Sequence, residues 1–338
     1  MEISPKVSVI VPCYNEESTI RLMLDALVRQ TYPKEDMEVV VADGMSNDNT
    51  VLEIENFQNN HPELKILVIE NQKRIIPAGL NRALEVAKGE YVVRLDAHCV
   101  PHPEYITRSI AGLEKRLGDN VGGVWKIVPP ENTWMARSIA AAASYPLAVG
   151  DAKYRFADSP GEVDTVPFGA FRREYLLSIG GFNETLLANE DYELNTRIRQ
   201  AGGKIWLDQN IQVQYYSRST LRQLARQYWR YGYWKAAMLR RFPGSLRWRQ
   251  ALPPLFVFGL IGLLAASIWS VAARWVLLVV VIFYGMSLLL SGLDTTLQSR
   301  RFSLIFGVPL VIATMHLSWG SAFLVSLITW LFGKKTSA

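Results

Sequence analysis

Cysteine is scarce in this chain of 338 residues: only Cys13 and Cys99 occur. Two thiols build no disulfide framework and have no metal-site spacing, so neither can staple the fold. Each follows an apolar run and reads as a small packing residue. Equally missing are a Gly-x-Gly-x-x-Gly after the first predicted strand and a Gly-x-x-x-x-Gly-Lys-Ser/Thr anywhere. Their absence disfavours a dinucleotide fold and a P-loop NTPase, so phosphates need another counter-charge. The opening Met1-Glu-Ile-Ser-Pro5-Lys lacks the basic region and long apolar core of a signal peptide. The N-terminal part is expected on the cytosolic side, with reduced thiols. Acid is missing too, but only locally: no Asp or Glu occurs from Gln209 to Leu293.

That gap divides the chain. Before it, acids and bases alternate as in a soluble protein, and strand and helix patterns alternate as well. Val7–Val11, Glu38–Ala42, Leu64–Glu70 and Tyr91–Leu95 are short β-branched runs that predict strands. Between them, Ser18–Gln30 with Ser18 as cap, Asn49 or Thr50 to Asn59, and Pro77–Lys88 stopped by Gly89 predict helices. The alternation means a doubly wound, mostly parallel α/β sheet. Further on, Ile106–Leu117 and Asn132–Ala148 look helical and Val121–Val128 looks like a strand. Val163–Arg172, which holds Phe168, is expected as a strand or tight turn across the sheet's edge. Asn189 is expected to cap a helix running to Gln200, with Glu190 and Asp191 in its first turn.

Ligands in open α/β sheets bind beyond the carboxyl ends of strands. The stretches that follow the strands therefore gather along one edge: Pro12-Cys-Tyr14-Asn15-Glu16, Asp43-Gly44, and Asp96-Ala-His98. Asp96 and His98 are two residues apart, so an extended chain would point both to one side. An Asp-x-His pair at a strand end can hold a divalent cation against an anionic ligand. The bland alternative is that Asp is there as a turn residue.

Past the acid gap, Thr220–Arg241 interleaves Tyr and Trp with Arg222, Arg226, Arg230, Lys235, Arg240 and Arg241. Such a segment could stack on nucleic acid or lie on anionic lipid. Leu252–Ala273 and Trp275–Leu293, broken only by Arg274, are apolar runs of spanning length, which decides for membrane and against nucleic acid. A third run, Phe302–Phe332, would reach ~46 Å as a helix against a hydrocarbon core of ~30 Å. It must tilt, kink near Pro309 or fold back. The basic cluster before Leu252 places that side in the cytoplasm by the positive-inside rule. Three spans put Arg300-Arg301 inside as well, and Lys334-Lys335 outside, which a re-entrant third segment would avoid. The expected division is 1–217 for the α/β domain, 218–250 interfacial and 251–333 transmembrane, with segments 252–273, 275–293 and 302–332.

In this order the motifs resemble those of family 2 glycosyltransferases with a GT-A fold, and among them the membrane-anchored, succinoglycan ExoA-like enzymes. Val11-Pro12-Cys13-Tyr14-Asn15-Glu16 is similar to the family's opening nucleotide-binding sequence, and Asp43-Gly-Met-Ser-Asn-Asp-Asn-Thr50 to its Asp-Gly-Ser-x-Asp-x-Thr loop. Asp96-Ala-His98 stands in the place of the metal-binding Asp-x-Asp. Asn189-Glu190-Asp191 and Gln227-Tyr-Trp-Arg230-Tyr231 resemble the Glu-Asp and Gln-x-x-Arg-Trp motifs. Two departures stand out: His98 for the second Asp, and Tyr231 for the Trp.

The resemblance implies a nucleotide-sugar site in which Pro12, Tyr14, Glu16 and Asp43 contact base and ribose. Asp96 would face ribose or a metal-bound water, and His98 would be the direct metal ligand. Asp191 would be the general base beside Glu190. Gln227, Arg230, Tyr231 and Phe168 would close over diphosphate and acceptor. An imidazole ligand suits Mn²⁺ better than Mg²⁺. The implied enzyme is an inverting transferase moving a hexose, glucose by expectation, from a UDP-sugar to a polyprenyl-diphosphate-linked or growing saccharide in exopolysaccharide or cell-envelope synthesis. The alternative is a polyprenyl-phosphate sugar synthase, whose acceptor is the lipid phosphate itself.

Overall fold

The computed structural model describes residues 5–332, and the expectations for Gly333 and Lys334-Lys335 lie outside them. The chain forms two compact units. Residues up to 126 together with 153–215 make the first, and residues 127–152 with 216 onward make the second. The expected division kept 1–217 together; residues 127–152 instead group with the apolar helices.

β1 (Val7–Cys13), α1 (Ile20–Val28), β2 (Met37–Asp43), α2 (Thr50–Asn60), β3 (Lys65–Glu70), α3 (Ile76–Val86) and β4 (Tyr91–Arg94) alternate as the sequence predicts. β5 (Cys99–Pro101), α4 (Tyr105–Glu114) and β6 (Asn120–Val128) follow. The chain then makes α5 (Trp134–Ala142) and α6 (Pro146–Val149), both in the second unit. It returns as β7 (Gly161–Glu162), β8 (Ala170–Arg172), α7 (Arg173–Ser178), α8 (Glu190–Gln200) and β9 (Ile205–Tyr216). Strands are ordered β3-β2-β1-β4-β8-β6-β9-β5, with β7 on β9.

β1 pairs in parallel with β2 (Val7 beside Met37) and with β4 (Val7 beside Tyr91), and β2 pairs in parallel with β3. A central parallel strand is covered on both faces, which is why β1 reads as an apolar run broken only by Ser8. Side-chain alternation sends Val9, Val11, Val39, Val41 and Val93 into one core and Ile10, Val40, Ala42 and Val92 into the other. Cys13 and Cys99 are buried and unbridged in the first of these cores. The lone polar residue inside β1, Ser8, has a specific use. Its hydroxyl donates to Glu38 Oε1 (2.6 Å) and accepts the Gly89 amide (2.8 Å). A Cβ on Gly89 would lie 2.6 Å from the Ser8 nitrogen, so only glycine can end that helix so close to β1.

Several local expectations change. α1 begins at Ile20 rather than after Ser18, because the Thr19 hydroxyl is turned back onto the Glu16 carboxylate. Asn189 holds the N-cap position of α8 as expected, but its backbone is left-handed (φ 65°), a conformation asparagine tolerates, and its side chain makes no cap bond. The Val163–Arg172 segment is not at an edge. β8 lies inside the sheet, antiparallel to β4 and to β6, with Ala170 in one core and Phe171 in the other. The Asn132–Ala148 helix is two helices, separated where Pro146 opens the second.

In the second unit, α9 (Leu221–Arg241), α10 (Trp248–Ala266), α11 (Val271–Ser299) and α12 (Leu304–Phe332) complete the chain. α10, α11 and α12 are long and apolar enough to cross a membrane. The break between the first two is the turn at residues 267–270, not Arg274. Arg274 lies inside α11 and its guanidinium donates back to the carbonyls of Ser267 (2.7 Å) and Ile268 (3.3 Å), satisfying the end of α10. α12 runs as one helix through Pro309 and does not fold back. It packs against α5, α9, α10 and α11, which explains its buried Val308, Val311, Ile312 and Met315.

Candidate active site

Two loops at the carboxyl end of the parallel strands are laced together. Asn15 sits in a left-handed turn (φ 53°), its amide donating to Ser46 Oγ (2.9 Å) and its Oδ1 accepting from the Asn47 amide (3.0 Å). The Glu16 amide donates to Thr50 Oγ1 (2.8 Å), and the Gly44 amide to the Cys13 carbonyl (2.7 Å). This cross-bracing holds the backbone while Tyr14 stays exposed (46%) beside half-buried Pro12. Asp43 is buried, and its carboxylate accepts from the Ser46 amide (3.0 Å) and hydroxyl (2.6 Å). Its first work is therefore to shape its own loop.

β4 delivers the next group. After Arg94 the backbone turns, with the Cys99 amide donating to the Asp96 carbonyl (3.1 Å), so the expected extended pair is a turn instead. The sidedness survives: Asp96 and His98 are half-buried, whereas Ala97 and Cys99 are buried. His98 Nδ1 lies 3.0 Å from Glu16 Oε1. Burial opposes ionisation of Glu16, but the hydrogen bond and charge of His98 and the Thr19 hydroxyl hold its carboxyl below the ordinary value. A histidine whose Nδ1–H is held by a carboxylate has Nε2 fixed as its metal-binding nitrogen. Among the described residues, no group of three or more His, Cys, Asp or Glu side chains could hold an ion by itself. Asp96 and His98 supply two donors of suitable type, a set that fits a cation whose other ligands come from a bound diphosphate.

The first turn of α8 meets this edge through a residue that sequence reasoning missed. Arg94 is buried (3% exposed), and its Nη2 lies 2.8 Å from Glu190 Oε1 and 3.2 Å from Asp96 Oδ1. Its position inside an apolar run was the available signal, since an arginine is buried only when paired. Loss of water and the charges of Asp96, Glu190 and Asp191 act on it together, and the net effect raises its proton affinity further. Glu190 is buried, while Asp191 is half-buried and takes the Tyr192 amide on its own Oδ1 (2.7 Å). Burial, and next the charge of Glu190, push the Asp191 carboxyl up to about 6, with Arg94 opposing. Desolvation thus outweighs the pull of the helix N-terminus toward the ionised form. At neutral pH Asp191 is still mainly ionised, and it is a stronger base than an ordinary aspartate.

Phe168, expected at the acceptor, is buried (3% exposed) rather than open. Its ring lies 5.7 Å from the Arg94 guanidinium and 5.9 Å from the Trp125 ring. Trp125 stacks flat on Tyr215 at 4.1 Å, and Tyr215 is 6.3 Å from His98. An aromatic wall thus runs from His98 to Arg94, built from three separate stretches of sequence, and no local pattern announces it. The third acid of α8's first turn, Glu193, is fully buried on Arg197 (2.8 Å), which also donates to the carbonyls of Ile179 and Gly181. It is a structural ion pair.

Gln227, Arg230 and Tyr231 lie on α9, in the second unit. Gln227 Nε2 donates to the Tyr231 hydroxyl (2.9 Å), one helical turn on. Arg230 is exposed. The first unit therefore brings together Pro12, Tyr14, Glu16, Asp43, Asp96, His98, Glu190 and Asp191, with Arg94 added.

The model of the Glycosyl transferase family 2 matches residues 8–180. A dolichyl N-acetyl-alpha-D-glucosaminyl phosphate 3-beta-D-2,3-diacetamido-2,3-dideoxy-beta-D-glucuronosyltransferase of Methanococcus voltae is 26% identical over 95% of this chain and 97% of its own. The succinoglycan biosynthesis protein ExoA of Rhizobium meliloti is 28% identical over 93% of each. In fold, the chain is similar to the mannosyltransferase PcManGT from Pyrobaculum calidifontis, solved with GDP-Man and Mn²⁺. That likeness has a TM-score of 0.65 and 22% identity, over 98% of this chain and 89% of that one.

Proposed function

This chain belongs to glycosyl transferase family 2, with a GT-A sheet and a nucleotide-sugar-dependent activity, and on that footing we propose that it is an inverting hexosyltransferase. In this reading its donor is a UDP-sugar, UDP-glucose by expectation, and its acceptor is a lipid-linked or growing saccharide. The observation that carries the reading is the first turn of α8: two adjacent carboxylates, one tied to Arg94 and the other raised to about 6. A carboxylate of that proton affinity suits the one proton transfer an inverting reaction needs. Asp191 takes the proton of the acceptor hydroxyl as its oxygen attacks the anomeric carbon. The new carbon–oxygen bond forms as the bond to the diphosphate breaks, and the nucleoside diphosphate leaves with the electron pair.

The laced loops around Asn15 and Ser46 hold the nucleotide-facing edge, with Tyr14 exposed to cover a base and Asp43 shaping the loop that would meet the ribose. Asp96 and His98 would hold a divalent cation, which supplies positive charge to the leaving diphosphate. The Glu16–His98 bond supports this, as does the Mn²⁺ in the mannosyltransferase complex. For Gln227, Arg230 and Tyr231 we keep the roles expected from the sequence, at diphosphate and acceptor. The Methanococcus relative, whose name gives a dolichyl-phosphate-linked sugar as acceptor, supports a lipid-linked saccharide over free lipid phosphate. Three helices of spanning length and the acid-free basic segment before them support a membrane enzyme facing the cytoplasm.

The test is transfer by purified membranes from a panel of radiolabelled nucleotide sugars to defined acceptors. Label on a lipid-linked saccharide is the expected outcome. Label on free polyprenyl phosphate would overturn the acceptor class.

A further inference from the structure

Arg94 occupies a position that hydrophobic burial alone would give to an aliphatic residue. It follows Val92 and Val93 in a strand covered on both faces and is itself 3% exposed. A cation in such a place is costly unless its charge and N–H groups are answered. One nitrogen, Nη2, reaches both Glu190 Oε1 (2.8 Å) and Asp96 Oδ1 (3.2 Å). Nε and Nη1 have no hydrogen-bond acceptor among the described residues. The rings of Phe168 and Phe182, 5.7 and 5.9 Å from the guanidinium carbon, meet it instead. Phe168 reaches it through a left-handed backbone (φ 60°), followed by Gly169 at φ 102°. The strained turn, the two rings and the two acids all converge on this one side chain.

We propose that Arg94 is a positioning residue that ties the first turn of α8 to the end of β4, making Glu190 the anchor of the acidic pair and leaving Asp191 to act as base. The inference rests on the proposed transferase reading, which it deepens. Glu190 and Asp191 are consecutive, so the two cannot share one direction on the helix. Holding Glu190 on Arg94 fixes the rotation of the helix about its axis, and with it the place of Asp191. The same guanidinium joins Asp96, from the donor-binding edge, to the helix that carries the base. Donor-side and acceptor-side groups are thereby held in one frame by a single buried cation. Its charge also opposes the upward push on Asp191. The charged groups facing Arg94 are Asp96 from the end of β4 and Glu190 and Asp191 from α8; the Phe168 and Phe182 sides are apolar.

The experiment uses the full-length protein in detergent and compares wild type, Arg94→Met and Arg94→Lys. A misplaced base costs rate more than binding, so Arg94→Met should lower kcat ~100-fold with the donor KM changed by less than ~3-fold. The acid limb of its kcat/KM profile should move up by about one pH unit, because the cation opposing protonation of Asp191 is gone. Arg94→Lys keeps the charge without the fork, so it should restore the limb but only part of kcat. An unchanged limb in an active Arg94→Met variant, or equal losses in Met and Lys variants with no limb shift, would overturn the proposal. Should Arg94→Met melt too low to assay, melting temperatures of Arg94→Lys, Glu190→Gln and the double variant decide. Non-additive losses are expected, and additive ones reject the tether. Were wild type to transfer no sugar at all, the transferase reading would fail, whereas the melting cycle would still test the tether.

Discussion

His98 Nδ1 lies 3.0 Å from Glu16 Oε1, joining the end of β4 to the loop after β1. The two residues are far apart in sequence and belong to different motifs. The contact makes the His98 imidazole an oriented donor, because the carboxylate fixes which ring nitrogen is protonated.

Glu16→Gln should therefore weaken cation binding without removing a ligand. Titrating Mn²⁺ and Mg²⁺ against transfer rate should show the half-saturating cation concentration rising ~10- to 100-fold, the usual effect of losing an outer-shell partner. His98→Ala should lose metal-dependent activity outright. In wild type, Mn²⁺ should outperform Mg²⁺ at equal concentration. Activity unaffected by EDTA would remove the cation from the reading.

In the proposed mechanism Asp191 sets the acid side of the pH profile. With its carboxyl near 6 and the base active only when ionised, kcat/KM should fall about tenfold per pH unit below pH 6 and level off above it. Asp191→Asn should lower kcat by ~10² to 10⁴ while nucleotide-sugar binding, measured by calorimetry, persists.

The same shift has a consequence for stability. A carboxyl raised on folding from 3.8 to about 6 binds its proton more tightly in the folded state. Its stabilising contribution is complete below pH 3.8 and is lost as pH rises through 6. Asn has no proton to lose, so Asp191→Asn should raise the melting temperature relative to wild type at pH 7.5 more than at pH 4.5. Scanning fluorimetry at the two pH values measures this. A variant less stable at both would sink the account.

Arg230 is exposed on α9, and the role expected for it is electrostatic. Arg230→Ala should lower kcat ~10²-fold, as loss of a charge-stabilising group does, and Arg230→Lys should recover little because a point charge does not reproduce the guanidinium fork. Steady-state kinetics of Arg230→Ala beside Arg222→Ala, on the same helix, separates a specific role from general loss of positive charge.

Gly169 tests the packing behind the site. Its φ is 102°, and a Cβ there would lie 2.1 Å from Asn120 Oδ1, whose amide in turn donates to Asn195 Oδ1 (2.6 Å) on α8. Gly169→Ala should destabilise the first unit by roughly 1–3 kcal/mol or more, from backbone strain and the displaced asparagine. Chemical denaturation would measure it, and a change within about 0.5 kcal/mol would contradict the geometry.

The parallel half of the sheet was legible because covered strands read as β-branched runs, and Pro77 and Gly89 punctuate the helix between two of them. The three apolar helices were legible from length alone, although the break fell at residues 267–270 rather than at Arg274. An isolated arginine does not end a helix when its guanidinium can reach back to free carbonyls. The β8 insertion was not legible. Three residues carry too little periodicity, and their place between β4 and β6 depends on pairings from distant parts of the chain.

The amino-acid order by itself determined which chemistry is present: an Asp-x-His at a strand end, adjacent acids at a helix start, and an acid-free basic segment before apolar helices. Residue type and local period are properties of neighbours in the chain, and these features need nothing more. Tertiary structure alone decided how that chemistry is shared out. It put Glu16 on His98, turned Asp43 into its own loop, buried Phe168, and placed Arg94 between Asp96 and Glu190. Proton affinity depends on burial and on charges that arrive from elsewhere in the fold, so the different environments of Glu190 and Asp191 arise only when β4 and α8 meet.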